Sequence, residues 1–162
     1  MIRTFYIIIL STTLFSQNSH SLLFDGADDY VELTDIDLLE SYTLSITYKP
    51  TDHTSHNSLI NKYPAYALLE SGSGSLYAHP REGYECMTDY TVSINEWHNV
   101  SLVFDSGLQT FYFYVDGLLI YSCNNMPNSE NIDNNLHIGK APNSNGEFLE
   151  GLVDEALIWE SA

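Results

Sequence analysis

Residues 110–122 read TFYFYVDGLLIYS, and they place a turn-forming dipeptide between two apolar runs. Apolar residues alternate with tyrosines in residues 111–115, and a period of two is typical of a β-strand with one buried face. Asp116-Gly117 follows directly, and glycine is favoured in a two-residue hairpin turn because such turns require positive φ. This stretch therefore predicts two antiparallel strands joined by a tight hairpin.

Similar alternation recurs in residues 41–49 (SYTLSITYK) and 97–105 (WHNVSLVFD). Antiparallel strands with one buried and one solvated face produce this pattern. Turn-forming residues separate such stretches, and the run SGSGS at residues 71–75 is interpreted as a hairpin loop rather than an interdomain linker. No amphipathic helix longer than one turn is predicted. The sequence therefore favours an all-β fold, a two-sheet antiparallel β-sandwich.

The chain has 162 residues, enough for one domain with a two-layer core. Five Lys and Arg residues stand against 22 Asp and Glu residues, which gives a formal net charge of −17 at pH 7. Such a chain repels polyanions, so nucleic acid and bare acidic membranes are poor partners. Neutral glycans, cationic groups and divalent cations remain compatible with this charge, although acidity that serves only solubility is an alternative.

The N-terminus has the pattern of a signal peptide over residues 1–21. Arg3 supplies the positive charge, residues 5–15 are mostly apolar, and Ser16 or Ser21 offers a small residue before a cut. The apolar run is shorter than the roughly 20 residues of a membrane-spanning helix, so we expect no membrane insertion after signal cleavage. The sequence thus predicts a secreted domain over residues 22–162. The alternative is that the apolar run forms a core strand.

Two cysteines, Cys86 and Cys123, lie in the part of the chain that is predicted to be exported. An oxidising compartment makes a disulfide between them plausible. Sequence spacing alone does not fix the geometry of a bridge, so two unpaired thiols remain the alternative.

Three segments, taken in order, resemble the laminin-G-like domain (LamG-like), a concanavalin A-like lectin/glucanase jelly roll. They are residues 23–33 (LFDGADDYVEL), residues 95–105 with 113–118 (NEWHNVSLVFD and FYVDGL), and residues 151–159 (GLVDEALIW). The resemblance implies two antiparallel sheets packed face to face, with the first and last segments paired. It also places Trp97 at a strand start, with its ring covering the edge of the core. Because that family usually continues beyond this last motif, we expect a truncated C-terminus.

The resemblance also suggests a structural calcium site, because it places the first Asp-Gly turn beside the closing strand. Asp25, the Gly26 carbonyl, Asp28 and Asp154 are the expected ligands. Ca²⁺ binds six to eight oxygens, and close carboxylates repel each other unless a cation lies between them. The alternative is that Asp25 and Asp28 only accept hydrogen bonds from backbone N–H groups of the turn.

No catalytic function is expected. The resemblance extends to glucan-cleaving enzymes, but their paired-carboxylate signature, E-x-D-x-x-E on a strand, is absent here. A glycoside hydrolase is therefore the least favoured alternative. His53 and His56 lie in a polar loop, where solvated side chains are favoured over a zinc site.

A non-catalytic binding module for carbohydrate, or for a cell surface or extracellular matrix, is the favoured function. Sugars stack on aromatic rings, and the chain offers tyrosines outside its clearest core pattern. The alternative is a structural or adhesion domain of a larger multidomain secreted protein, which would bind protein partners. The candidate ring donors are Tyr63, Tyr66, Tyr77, Tyr84, Tyr90, Tyr112 and Tyr114.

Overall fold

The computed structural model describes residues 20–53, 55–142 and 146–162, together with the backbone of residues 5–8. These residues form two antiparallel β-sheets packed face to face, which confirms the predicted two-sheet β-sandwich. Within this described part of the chain, no helix is both long and apolar enough to cross a membrane.

One sheet contains seven strands in the order β1-β13-β4-β9-β10-β11, with β2 also paired to β13. Its strands are β1 (Phe5–Ile8), β2 (Leu22–Asp25), β4 (Tyr42–Pro50), β9 (His98–Asp105), β10 (Thr110–Val115), β11 (Leu118–Asn124) and β13 (Glu150–Trp159).

The other sheet contains six strands in the order β3-β12-β5-β6-β7-β8. Its strands are β3 (Val31–Leu33), β5 (Asn57–Lys62), β6 (Tyr66–Glu70), β7 (Ser75–Arg81), β8 (Tyr84–Thr91) and β12 (Leu136–Ile138).

The core lies between the sheets, where the alternate apolar residues of both inner faces meet. Aromatic rings dominate one part of it: the ring centroid of Tyr42 lies 5.3 Å from that of Phe104 and 5.6 Å from that of Tyr66. Phe104 also packs edge-on against Phe111, a favourable arrangement for aromatic pairs. The alternation in β4, β9 and β10 therefore positions one face of each strand in the interior, as the sequence predicts.

The hairpin and loop predictions are confirmed. Asp116 and Gly117 both have positive φ (51° and 77°) and join β10 to β11, with Val115 opposite Leu118. Residues 71–74 connect β6 to β7 within one sheet, so the SGSGS run is a hairpin loop. Trp97 differs from expectation: β9 begins one residue later at His98, and Trp97 is 44% exposed.

The beginning and end of the domain pair in the seven-stranded sheet. Leu22–Asp25 of β2 lie antiparallel to residues 150–153 of β13. Phe5–Ile8 of β1 pair further along the same strand, opposite residues 156–159. Most other residues of the predicted signal peptide lie outside the described residues, and its cleavage stays a prediction.

A disulfide joins Cys86 of β8 to Cys123 of β11, with a Cα–Cα distance of 6.0 Å. The predicted pairing is confirmed. Because β8 and β11 are edge strands of different sheets, the disulfide fastens the two sheets together along one side.

Candidate functional site

The outer face of the six-stranded sheet carries a recessed apolar floor. In β6, Tyr66, Leu68 and Glu70 point towards the core, so Ala67 and Leu69 point outwards. Ala67 and Leu69 are at most 2% exposed, and with Tyr77 they form a hydrophobic cluster separate from the core. Outward residues that are this well covered lie at the bottom of a depression.

A cleft of about 460 Å³ opens above this floor, and we name it the tyrosine cleft. Tyr63, from the connection between β5 and β6, contributes one wall. The β7–β8 hairpin contributes another, and Glu147 approaches from the segment before β13. The lining residues are Asn61, Tyr63, Leu69, Tyr77, His79, Arg81, Glu82, Gly83, Tyr84, Glu85 and Glu147.

The tyrosine cleft gathers three of the seven tyrosines singled out in the sequence: Tyr63, Tyr77 and Tyr84. The Tyr63 ring stands edge-on to the ring of His79, with 5.4 Å between centroids. The Tyr77 hydroxyl lies 3.2 Å from Nδ1 of His56. Tyr84 is 42% exposed, so its ring is the most accessible of the three to a ligand.

His79 contributes an unpaired polar atom. Its Nδ1 is buried and has no hydrogen-bond partner among the described residues. Burial lowers the pKa of His79 from 6.5 to about 4, so the imidazole is neutral at pH 7. A buried polar atom without a partner is unfavourable.

Acidic groups surround the rings. Burial first, and then the nearby Glu82 carboxylate, raise the pKa of Tyr63. Burial also raises the pKa of Tyr77, and the negative charges of Glu147 and Glu85 add to that increase. Negatively charged side chains therefore share the cleft with both rings.

Arg81 is the one Lys or Arg residue among the residues that line the cleft. Its guanidinium lies 5.2 Å from the centre of the Tyr84 ring, within the range of a cation–π contact. Its Nη1 also pairs with Oε1 of Glu130 at 3.2 Å. The positive charge is thus already engaged by a ring and a carboxylate.

The structure places the other four tyrosines elsewhere. Tyr66 is fully buried and its hydroxyl donates to the Ile36 carbonyl at 2.8 Å, so the expectation that it binds a ligand is wrong. Tyr90 packs partly buried against the core, which removes it from the cleft as well. Tyr112 and Tyr114 lie together on the outer face of the seven-stranded sheet, away from the tyrosine cleft.

The expected calcium ligands are brought together only in part. Carboxylate oxygens of Asp25, Asp28 and Asp29 lie within 4.8 Å of one another, so Asp29 joins the set. Asp154 does not, because Asp25 is paired with Glu150 and Asp154 lies four residues further along β13, about 13 Å away at 3.3 Å per residue. The expectation for Asp154 is therefore wrong.

The three carboxylates at the acidic turn (residues 25–29) fit a hard cation in chemistry and spacing. Within the described ranges, none of them forms an ion pair with a Lys, Arg or His. Asp25 Oδ1 accepts hydrogen bonds from the N–H groups of Ala27 (2.9 Å) and Asp28 (3.4 Å), and these bonds lower the pKa of Asp25. The turn thus combines features of both alternatives: backbone N–H groups that donate to a carboxylate, and further carboxylate oxygens that face no basic side chain in the part of the chain that the structure describes.

His53 forms hydrogen bonds to protein groups through both of its ring nitrogens. Its Nδ1 lies 2.6 Å from Glu70 Oε1 and its Nε2 lies 2.9 Å from the Val92 carbonyl. Asn57 donates to the same Glu70 oxygen at 2.9 Å, and the Tyr48 hydroxyl donates to the other. With both ring nitrogens bonded to protein oxygens, His53 has a structural role behind the cleft floor.

The sequence reasoning missed the polar residues of the tyrosine cleft: His79, Arg81, Glu82, Glu85 and Glu147. Part of the signal was present, since alternation along residues 75–81 (SLYAHPR) places Tyr77, His79 and Arg81 on one face. Glu147 had no local signal, because its approach depends on how the loop before β13 folds back.

The two packed antiparallel sheets place this chain among the jelly-roll β-sandwich proteins. The family model Laminin_G_3, described as the concanavalin A-like lectin/glucanases superfamily, matches residues 25–162. The chain belongs to this family, which confirms the resemblance seen in its motifs. Among curated protein sequences, no relative matches.

Solved structures share the fold at low sequence identity. Domain 4 of AbnA, a GH43 extracellular arabinanase from Geobacillus stearothermophilus, in complex with arabinotriose, has a TM-score of 0.72 and 18% identity, covering 98% of this chain and 76% of that chain. The CBM40 of Ruminococcus gnavus IT-sialidase, bound to α2,3-sialyllactose, has a TM-score of 0.63 and 17% identity, covering 83% and 91%. A heptameric SAP-like pentraxin from Limulus polyphemus has a TM-score of 0.69 and 12% identity, covering 86% and 75%.

Proposed function

We propose that this chain is a secreted, non-catalytic domain that binds a glycan in the tyrosine cleft. The observation that carries the proposal is the convergence of Tyr63, Tyr77 and Tyr84 on one cleft, above an apolar floor and beside polar groups. Ligand sites combine apolar surface with a few placed polar groups in this way.

The chemistry of the cleft suits a sugar. The apolar C–H face of a pyranose or furanose packs against aromatic rings, and its hydroxyl groups need hydrogen-bond partners around the rim. Tyr84 offers an accessible ring, and Glu85 and Glu147 offer acceptors. His79 adds a neutral imidazole to the polar lining of the cleft.

Two structural neighbours support a sugar as the ligand class, since one holds arabinotriose and another sialyllactose. Fold alone does not fix function, so the cleft residues carry the proposal and the neighbours only add to it. The disulfide supports secretion, because such bonds persist in oxidising compartments. The acidic turn supports calcium as a structural ligand in the same domain.

A glycan microarray followed by titration calorimetry tests the proposal, with arabinotriose as one named probe. Tyr84→Ala is expected to weaken binding about tenfold, the loss of about 1.4 kcal/mol that one stacking ring accounts for. Tyr112→Ala is the matched control on the other sheet and is expected to leave affinity unchanged. Absence of binding to any glycan, or equal effects of the two variants, would contradict the proposal. Incubation with a bound glycan is expected to release no shorter sugar.

A further inference from the structure

We infer that the tyrosine cleft accepts uncharged or amine-bearing saccharides and excludes acidic ones. This inference rests on the proposed glycan-binding function and adds the ligand's charge class. It follows from the charges that line the cleft and from the way its one guanidinium is already engaged.

The charge balance of the cleft is negative. Glu82, Glu85 and Glu147 line it together with Arg81, so the lining carries a net charge of −2 at pH 7, from three negative groups and one positive. His79 adds nothing, because burial keeps its imidazole neutral. The whole chain reinforces this sign with its net charge of −17. An anionic ligand therefore meets a repulsive potential both on approach and in the cleft.

Arg81 does not offset this repulsion. Recognition of a sugar carboxylate calls for a cation free to make charge-assisted hydrogen bonds. The Arg81 guanidinium instead pairs with Glu130 and lies over the Tyr84 ring. The single positive charge of Arg81 is therefore already partly neutralised by Glu130, so an incoming sugar carboxylate gains less from it than from an unpaired cation.

The acidic groups also lie where a sugar would sit. Glu82, Glu85 and Glu147 line the same cleft as the tyrosine rings. Burial raises the pKa of Tyr63 and Tyr77, and these negative charges raise it further. A ligand that packs against these rings therefore places its substituents among carboxylates. Hydroxyl and ammonium groups are donors to carboxylates, whereas a second carboxylate is only an acceptor.

Matched glycan pairs test this inference on the full chain. Lactose and 3′-sialyllactose differ by one acidic sugar, and N-acetylchitotriose and chitotriose differ by three amines. We expect the acidic member of any bound pair to bind at least about tenfold more weakly in about 20 mM salt, and the penalty to shrink in about 500 mM salt as screening increases. Where chitotriose binds, its affinity is expected to fall with added salt.

Charge variants assign the effect to the cleft. Glu85→Gln combined with Glu147→Gln keeps the size of the side chains and is expected to reduce the discrimination against the acidic glycan by about tenfold or more. Glu160→Gln removes an exposed carboxylate near the chain end and is the matched control, with discrimination unchanged.

The outcomes separate this inference from the proposed function. Binding of neutral or amine-bearing glycans with acidic ones discriminated against supports both. Acidic glycans that bind as tightly as their neutral partners would overturn the inference and leave glycan binding in place. Discrimination that survives in the Glu85 and Glu147 double variant would also overturn it. An array on which no glycan binds would overturn the proposed function, and the inference with it.

Discussion

Tyrosines occupy the outer faces of both sheets, but only those of the six-stranded sheet line the cleft described above. On the seven-stranded sheet, Tyr112 and Tyr114 share the outer face with polar side chains of β4 and β9 that hydrogen-bond to one another. Ser101 donates to Ser45 at 2.8 Å, and neighbouring polar side chains continue the network. On the six-stranded sheet, His79 Nδ1 has no partner among the residues that the structure describes, and the surrounding walls create a depression.

The difference shows that aromatic content alone does not define a binding site. What distinguishes the tyrosine cleft is the set of connections that rise above its floor: the β5–β6 connection, the β7–β8 hairpin and the segment before β13. Those connections enclose rings that would otherwise be ordinary sheet surface. Substitutions that act on one sheet and leave the other intact test this difference.

The largest effect is expected from Glu70→Ala, behind the cleft floor. The substitution removes the acceptor for Tyr48, His53 and Asn57 in the interior. Leaving buried polar groups without their charged partner costs about 3–5 kcal/mol of unfolding free energy. Urea unfolding at neutral pH measures the loss.

Glu85→Ala is the matched control for Glu70→Ala, because Glu85 is an exposed carboxylate on the outer face of the same sheet. Its unfolding free energy is expected to stay within about 0.5 kcal/mol of the parent protein. A loss below about 1 kcal/mol for Glu70→Ala would mean that the buried network is not held together by its carboxylate.

The next effect is expected from removing the disulfide with Cys86→Ser and Cys123→Ser together. The bridge closes a 37-residue separation, and its loss is expected to cost about 2–4 kcal/mol. Because β8 is an edge strand that the disulfide holds, hydrogen exchange is expected to increase more in residues 84–91 than in residues 42–50 at the centre of the other sheet.

The reducing agent provides the control for this pair of substitutions. It should lower the stability of the parent protein by a similar amount and leave the double serine variant unchanged. Equal stability of oxidised parent and variant would show that the bridge does not hold the two sheet edges together.

Much of the fold could be predicted from the sequence because its signals are local. Alternation in residues 41–49 and 97–105 identified strands whose buried faces meet in the core, and Asp116-Gly117 identified a hairpin. The pairing of the first and last segments followed from the family resemblance and is also confirmed.

The candidate site was less accessible because it depends on long-range geometry. Tyr66 lies in YALLE, a strand buried on both faces, so period-two patterning did not separate the inward ring from outward neighbours. The prediction that Asp154 lies at the acidic turn was wrong because residue types do not reveal strand register, and Asp25 is opposite Glu150. Glu147 could not be predicted because its position in the cleft depends on the path of the loop before β13.

His79 provides a pH-dependent test of the cleft. Its folded pKa of about 4 lies below the value of 6.5 for the unfolded chain, so the unfolded state takes up the proton first. Its stabilising contribution is therefore complete above about pH 6.5 and decreases as the pH falls towards 4. Between about pH 7.5 and 4.5, His79→Gln is expected to lose about 2 kcal/mol less unfolding free energy than the parent protein.

Urea unfolding of both proteins at the two pH values measures this difference. Because both proteins keep the same carboxylates Glu82, Glu85 and Glu147 around the ring, the comparison isolates the imidazole. Parallel pH profiles would mean that His79 is solvated, and the depth of the tyrosine cleft would then be overestimated.

The smallest effect is expected at the acidic turn, where three carboxylates lie close together as a second negatively charged region of the domain. If Asp25, Asp28 and Asp29 bind calcium with the affinity usual for extracellular modules, about 1 mM Ca²⁺ should stabilise the protein by about 1 kcal/mol, and EDTA should reverse it. Asp25→Asn is expected to abolish this response. Asp154→Asn should preserve it, because the strand register keeps Asp154 away from the turn. If neither Ca²⁺ nor EDTA changes the melting temperature, the carboxylates of the turn only accept hydrogen bonds from backbone N–H groups. If Asp154→Asn loses the response and Asp25→Asn keeps it, the ion binds at the closing strand and not at the acidic turn. A site with so few carboxylates should weaken only when one of its own ligands is removed.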